Sequence, residues 1–170
     1  MKQILFSVLL LTTIVAYGQA DKSQRPSPPA LAKETLNNGT TVSIDYSQPA
    51  VKGRTIGTEL EPLEGKVWRT GANEATVFEV DKDVQIENQA LPAGKYGLFT
   101  IMNGDEWTII FNKTWKQWGA FSYKEADDAL RVTVKSGKAP QFSERMTFQV
   151  AKDGKITLLW GDIEVDFMAN

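Results

Sequence analysis

Two irregular stretches of this chain hold the side chains best suited to chemistry. In Tyr46-Ser47-Gln48-Pro49-Ala50-Val51-Lys52-Gly53-Arg54, Pro49 and Gly53 break strand pairing, so Lys52 and Arg54 are expected on a shaped loop. In Gly65-Lys66-Val67-Trp68-Arg69-Thr70-Gly71-Ala72-Asn73-Glu74-Ala75, donors and small residues crowd around an aromatic, a composition suited to holding something polar. Lys52, Arg54 and Arg69 are cations, and Glu74 is the acid nearest to them in sequence. A carboxylate between arginines forms charge-assisted, often bidentate, bonds. Two readings of that pairing stand side by side: a polar cluster that pins two loops, or a site for an anionic or polyhydroxylated ligand. Trp115-Lys116-Gln117-Trp118-Gly119, followed by Tyr123, is a second candidate. Trp118 could stack on the apolar face of a sugar or fold back over the end of a barrel. The expected ligand-binding set is therefore Lys52, Arg54, Arg69, Asn73, Glu74, Trp118 and Tyr123.

Two absences limit the chemistry further. The chain has no histidine and no cysteine. The usual general base, the Ser-His-Asp arrangement and nitrogen–sulfur zinc sites are thereby excluded. A metal would have to be a hard cation held by oxygens. Asp81, Asp83, Asp127 and Asp128 lack the glycine and glutamate spacing of a calcium loop and read as solvated turn residues. No metal site and no cofactor are expected. A hydrolase or lyase would have to use Glu74 as general acid or base, with Arg54 or Arg69 stabilising developing negative charge. Its weakness is the second carboxylate, for which Asp45, on a regular strand, is the available residue. A structural envelope protein is the third class. The order of preference is ligand binding, then a structural role, then catalysis.

The elements that must position these residues are strands. Val42, Ile44 and Tyr46 alternate with polar neighbours, and so do Thr76, Phe78 and Val80. The same period-2 pattern recurs at Trp107, Ile109 and Phe111, at Leu130, Val132 and Val134, at Met146, Phe148 and Val150, and at Ile156, Leu158 and Trp160. Turn residues separate the runs at Asn37-Asn38-Gly39, Pro92-Ala93-Gly94, Asn103-Gly104-Asp105 and Lys152-Asp153-Gly154-Lys155. Ser122-Tyr123-Lys124-Glu125 carries a capping-box pattern, which predicts a short helix through Ala129. These signals define an all-β, single-domain antiparallel sandwich or barrel with at most one short helix. Residues 19–30, with Pro26, Pro28 and Pro29, read as a flexible leader, and residues 31–170 as the domain.

The mature chain resembles the DUF2911 family of exported bacterial proteins, common in Bacteroidetes and known as a domain of unknown function. The resemblance rests on Tyr46-Ser47-x-Pro49-x-Val51-Lys52-Gly53-Arg54 and on Val67-Trp68-Arg69-Thr70-Gly71-Ala72-Asn73-Glu74-Ala75-Thr76. It continues through Leu91-Pro92-Ala93-Gly94-x-Tyr96-x-Leu98-Phe99-Thr100-Ile101, Trp107-Thr108 and Gln117-Trp118-Gly119 with Tyr123, and it covers nearly all of residues 25–167. Gln48 stands where the family often has arginine, so no charge is expected there. The resemblance implies an all-β domain and an exported location, and it implies no activity.

The N-terminus reads as an export signal. Lys2 supplies the positive region, Ile4–Ile14 the apolar run, and Ala16-Tyr17-Gly18 the small residues that a signal peptidase reads. A membrane span needs about 20 apolar residues, and this run is shorter and followed by the polar Asp21-Lys22-Ser23-Gln24-Arg25. With no cysteine in the chain, a cysteine-linked lipid anchor is not expected, and no later run is long enough to span a membrane. Removing Met1–Gly18 takes away Lys2 and no acid, so the formal charge moves from −2 to −3. That balance carries no nucleic-acid footprint. A periplasmic or secreted protein with a small polar or glycan ligand as partner is the expectation. N-terminal sequencing of exported material should read Gln19 first, and an intact Met1 would contradict the export reading.

Overall fold

The computed structural model describes residues 21–170. The export signal and its cleavage point lie outside the described residues. In chain order the strands are β1 (Pro29–Thr35), β2 (Thr41–Ser47), β3 (Thr76–Val80), β4 (Val84–Ile86), β5 (Gln89–Leu91), β6 (Gly94–Asn103), β7 (Glu106–Asn112), β8 (Asp128–Val150) and β9 (Lys155–Met168). All pairings between these strands are antiparallel. One seven-stranded sheet runs β1-β2-β3-β6-β7-β8-β9, and β4-β5 is a separate two-stranded ribbon. The turn chemistry acts where the sequence places it. At the β1–β2 hairpin the Thr40 N–H donates to Asn38 Oδ1 at 2.9 Å, and Gly39 adopts φ +77°, a left-handed value natural to glycine.

The large sheet curls because β8 is long and irregular. Its register against β9 shifts between Lys138 and Ser143 and again between Ser143 and Thr147, and such bulges bend a strand. Its second half then meets the chain just past β2. The Val51 N–H donates to Glu144 O at 2.9 Å, and the Met146 N–H donates to Pro49 O at 3.1 Å. The sandwich-or-barrel expectation thus resolves into a half-barrel, a curled antiparallel sheet with its concave face buried.

That face is filled by the residues that alternate in the sequence, including Val42, Ile44, Phe78, Trp107, Ile109, Phe111, Phe148, Leu158, Trp160 and Phe167. Phe111 joins four strands, with ring centroids 4.9 Å from Phe78, 6.4 Å from Tyr96 and 6.2 Å from Phe167, all edge-on. A smaller cluster of Ala75, Phe99 and Ile110 lies outside this core, and Val67, Ile101, Ala120 and Tyr123 pack on it.

Two segments differ from the sequence reading. The capping-box segment forms a single 3-10 turn, Glu125–Asp127, with no side-chain cap bond at Lys124, and β8 begins at Asp128. Tertiary partners explain this. Asp128 accepts from Asn112 Nδ2 at 2.7 Å and Asp127 accepts from Thr114 Oγ1 at 3.1 Å, so this stretch is drawn onto the end of β7 before a helix can propagate. In the segment read as a leader, residues 29–30 already belong to β1. Residues 21–28 lie as a strap along the sheet, where Pro28 O accepts from the Gln48 N–H at 2.9 Å and Pro26 O from Arg145 Nη1 at 3.3 Å.

Truncating Phe111 to alanine removes the side chain common to four strands and leaves a cavity. We expect Phe111→Ala to lower unfolding free energy by about 3–5 kcal/mol in urea titrations. A loss under 1 kcal/mol would show that the aromatic junction carries little of the stability.

Candidate functional site

The run Trp68–Thr76 is a compact knot of backbone and side-chain bonds. Trp68 pairs with Thr100 of β6 and donates through Nε1 to Gly71 O at 3.0 Å. Thr76 Oγ1 donates to Thr70 O at 2.8 Å. A Cβ on Gly71 would lie 2.9 Å from Thr76 Oγ1 and 3.1 Å from Ser47 O, so only glycine fits there. Thr70 and Asn73 hold φ of +50° and +59°, left-handed values that threonine rarely adopts. The knot ends by docking Glu74 against Trp118. The two residues form an antiparallel bridge, flanked by Ala75 N–H to Gln117 O and Gly119 N–H to Asn73 O, both at 3.0 Å.

Glu74 faces the strap. Its carboxylate takes Arg25 Nη1 at 2.7 Å and Lys22 Nζ at 3.1 Å. Burial pushes this carboxyl up, but the Arg25 hydrogen bond, its own backbone N–H and Lys22 outweigh that effect and hold it at about 2. The Arg25 guanidinium also lies over Trp118, 5.9 Å from the ring centroid, while Asn73 Nδ2 donates to Ser27 O at 3.0 Å.

Glu74, Lys22, Arg25 and Trp118 border a groove of about 430 Å³ on the outer side of the sheet. Asp45, Ser47 and Val77 contribute from β2 and β3, Trp115–Trp118 from the loop after β7, and Lys22, Arg25 and Pro29 from the strap and the start of β1. Gly97 lets the tryptophan loop lie down, since a Cβ there would sit 2.6 Å from the Phe99 ring and 3.3 Å from Trp115 Cα. Trp115 carries Lys95 Nζ at 5.7 Å from its ring centroid, and Lys95 pairs with Glu79 at 3.1 Å. Gln117 is committed to its own loop through Thr114 O at 2.6 Å and the Ser122 N–H at 3.2 Å. Among the described residues the Asp45 carboxylate takes part in no salt bridge, and Trp118 remains 54% exposed.

The seven residues singled out from the sequence divide into separate places. Asn73, Glu74 and Trp118 come together at the groove and the strap. Lys52 and Arg54 lie at another depression, which Pro26 and Ser27 of the strap also border. Arg69 joins neither group and makes no ion pair among the described residues. Its Nε is buried without a hydrogen-bond partner, and burial lowers its pKa against the opposing pull of Glu61. Tyr123 packs on Phe99, donates to Asp128 Oδ2 at 2.8 Å and accepts from Arg131 Nη2 at 2.6 Å. Burial and Asp128 push its hydroxyl up to about 12. The carboxylate expected between Arg54 and Arg69 is instead held by Arg25 and Lys22. Among the groove residues missing from the sequence-derived set are Lys22, Arg25, Asp45 and Trp115. Asp45 was visible as the outward residue of an alternating strand, and Trp115 as the partner of Trp118 in one short loop. Nothing local marks Lys22 or Arg25.

The fold and groove define a curled all-β domain with an aromatic-walled cleft on its outer side. The chain belongs to the DUF2911 family, described as proteins of unknown function, whose model matches residues 27–169. Neither a curated protein nor a solved structure gives a significant match.

A carboxylate with a depressed pKa stabilises the fold above its ordinary value of 4.5, and that contribution is lost as pH falls through about 2. Thermal melts of Glu74→Gln should therefore lose less stability than the parent protein between pH 4.5 and 2. Acid limbs of equal slope would show that the Arg25–Lys22–Glu74 set is not formed in solution.

Proposed function

We propose that this is an exported domain that binds a small polyhydroxylated ligand of the glycan class in the outer-face groove. The observation that carries the reading is that Trp115, Trp118 and Asp45 line one groove, Asp45 being an acceptor with no salt bridge among the described residues. Pyranose rings present apolar C–H faces to indoles and hydroxyl donors to carboxylates. Both indoles already carry a cation of the protein itself, Lys95 and Arg25. A cationic ligand would meet that charge directly, whereas a neutral or acidic saccharide would not. Export is part of the proposal and is supported by the Met1–Gly18 pattern.

Proton transfer by Glu74 fits the geometry poorly. A general acid at neutral pH needs a raised pKa, and Arg25 and Lys22 hold this carboxyl at about 2. The groove is therefore read as a binding site.

Isothermal titration with a panel of mono- and oligosaccharides tests the proposal. At least one glycan should bind, and Trp118→Ala and Asp45→Asn should each weaken it by about tenfold, the effect of losing one stacking or charge-assisted contact. Circular dichroism should show both variants folded. A panel without binding, or binding indifferent to both substitutions, would overturn the assignment.

A further inference from the structure

The turn Val51-Lys52-Gly53-Arg54 lies across the strap from the tryptophan groove. Lys52 and Arg54 line a depression of about 340 Å³ whose other walls include Pro49, Ala50 and Leu60 and the strap residue Ser27. No acidic side chain lines it. We propose that this depression is a second, independent site that binds an oxyanion, the phosphate, sulfate or carboxylate group of a ligand.

Three features support a built site over two chance surface cations. First, Arg54 is held in place. Its Nε donates to Val51 O at 3.1 Å and its Nη2 to Ala50 O at 2.7 Å, so one edge of the guanidinium is fixed on the backbone. Nη1 makes no hydrogen bond among the described residues, which leaves a pre-oriented donor edge for a planar or tetrahedral oxyanion. Second, Lys52 sits at φ +50°, a left-handed conformation that asparagine or glycine adopts at lower cost. Non-glycine residues in this left-handed region cluster at binding and active sites. Third, the turn has φ above zero at both central residues and is closed by Arg54 N–H to Val51 O at 3.1 Å. Above Gly53 there is open space, since a Cβ there would meet nothing within 4 Å.

The surrounding charges favour an anion. Arg145 Nη1 donates to Pro26 O at 3.3 Å and Gln48 O at 3.1 Å, which sets a third cation beside the same wall. Glu144 and Glu59 keep their negative charges near the turn while Glu144 Oε1 accepts the Lys52 N–H and Glu59 Oε2 the Thr55 N–H, both at 2.9 Å, so three cations, Lys52, Arg54 and Arg145, stand against these two acids. Neither Lys52 nor Arg54 forms a salt bridge among the described residues.

The test uses the mature protein labelled with nitrogen-15 and titrated with inorganic phosphate, sulfate and acetate, with chloride holding ionic strength constant. Saturable shifts at the Gly53 and Arg54 amides are expected for at least one anion, and the tightest of the three defines the group recognised. Lys52→Asn suits the left-handed turn and removes the charge, so it should fold and weaken the response about tenfold. Arg54→Gln should do the same. Trp118→Ala should leave the anion response unchanged, which separates this site from the groove. Shifts that never saturate, or that persist equally in Lys52→Asn and Arg54→Gln, would overturn the proposal.

Discussion

Two backbone hydrogen bonds organise the face on which the groove lies. The Ala75 N–H to Gln117 O and the Gly119 N–H to Asn73 O, both 3.0 Å, tie the knot after Trp68 to the loop after β7. They place an acid beside an exposed indole although the two are far apart in sequence. Their position is helped by Gly97, where a Cβ would strike the Phe99 ring at 2.6 Å and crowd Trp115 Cα at 3.3 Å. It is helped too by Gly71, where the knot passes against the backbone of β2. The strap then has a single place to lie, because Glu74 and Asn73 present an acceptor and a donor to it in fixed register.

A chain without cysteine must stabilise this arrangement through its core, since no covalent link restricts the unfolded state. The half-barrel does so with aromatic side chains whose polar atoms are mostly satisfied. Trp160 Nε1 donates to Glu61 O at 2.8 Å, and the Tyr46 hydroxyl accepts the Phe148 N–H at 3.0 Å. Trp107 is the exception, its buried Nε1 having no partner. The indole of Trp68 stacks 6.5 Å from that of Trp160, which anchors the knot to β9 and so links the groove to the centre of the core.

Charge is divided between the two sides of the strap. On the groove side Glu74 is paired with two cations, while Asp45 has no salt bridge among the described residues. On the other side Lys52 and Arg54 line a wall that has no acid. One short segment thus borders both depressions, and its own Arg25 lines the first.

Alternation along the chain marked β2, β3, β7 and parts of β8 and β9, with many of the residues that fill the concave face, because a period of two is a local property that burial on one side enforces. Strands β1, β4 and β5 carried no such signal, and the continuity of β8 and β9 came from pairing. The sequence also placed Asp45 on the outward face and set Trp115 beside Trp118. The helix expected at Ser122 failed because Asp127 and Asp128 found partners on β7 and its loop, which no local pattern records. The grouping of charges was a tertiary outcome. Lys52, Arg54, Arg69 and Glu74 fall in the irregular chain between β2 and β3, yet the fold takes Lys52 and Arg54 to one depression and Glu74 to the groove, and it buries the Arg69 Nε. Glu74 is paired instead by Lys22 and Arg25, from a proline-rich segment whose composition reads as a leader. Long-range pairing of that kind is decided when a sheet closes and chooses which surfaces meet, so the sequence carries the ingredients of the site and the fold alone carries their arrangement.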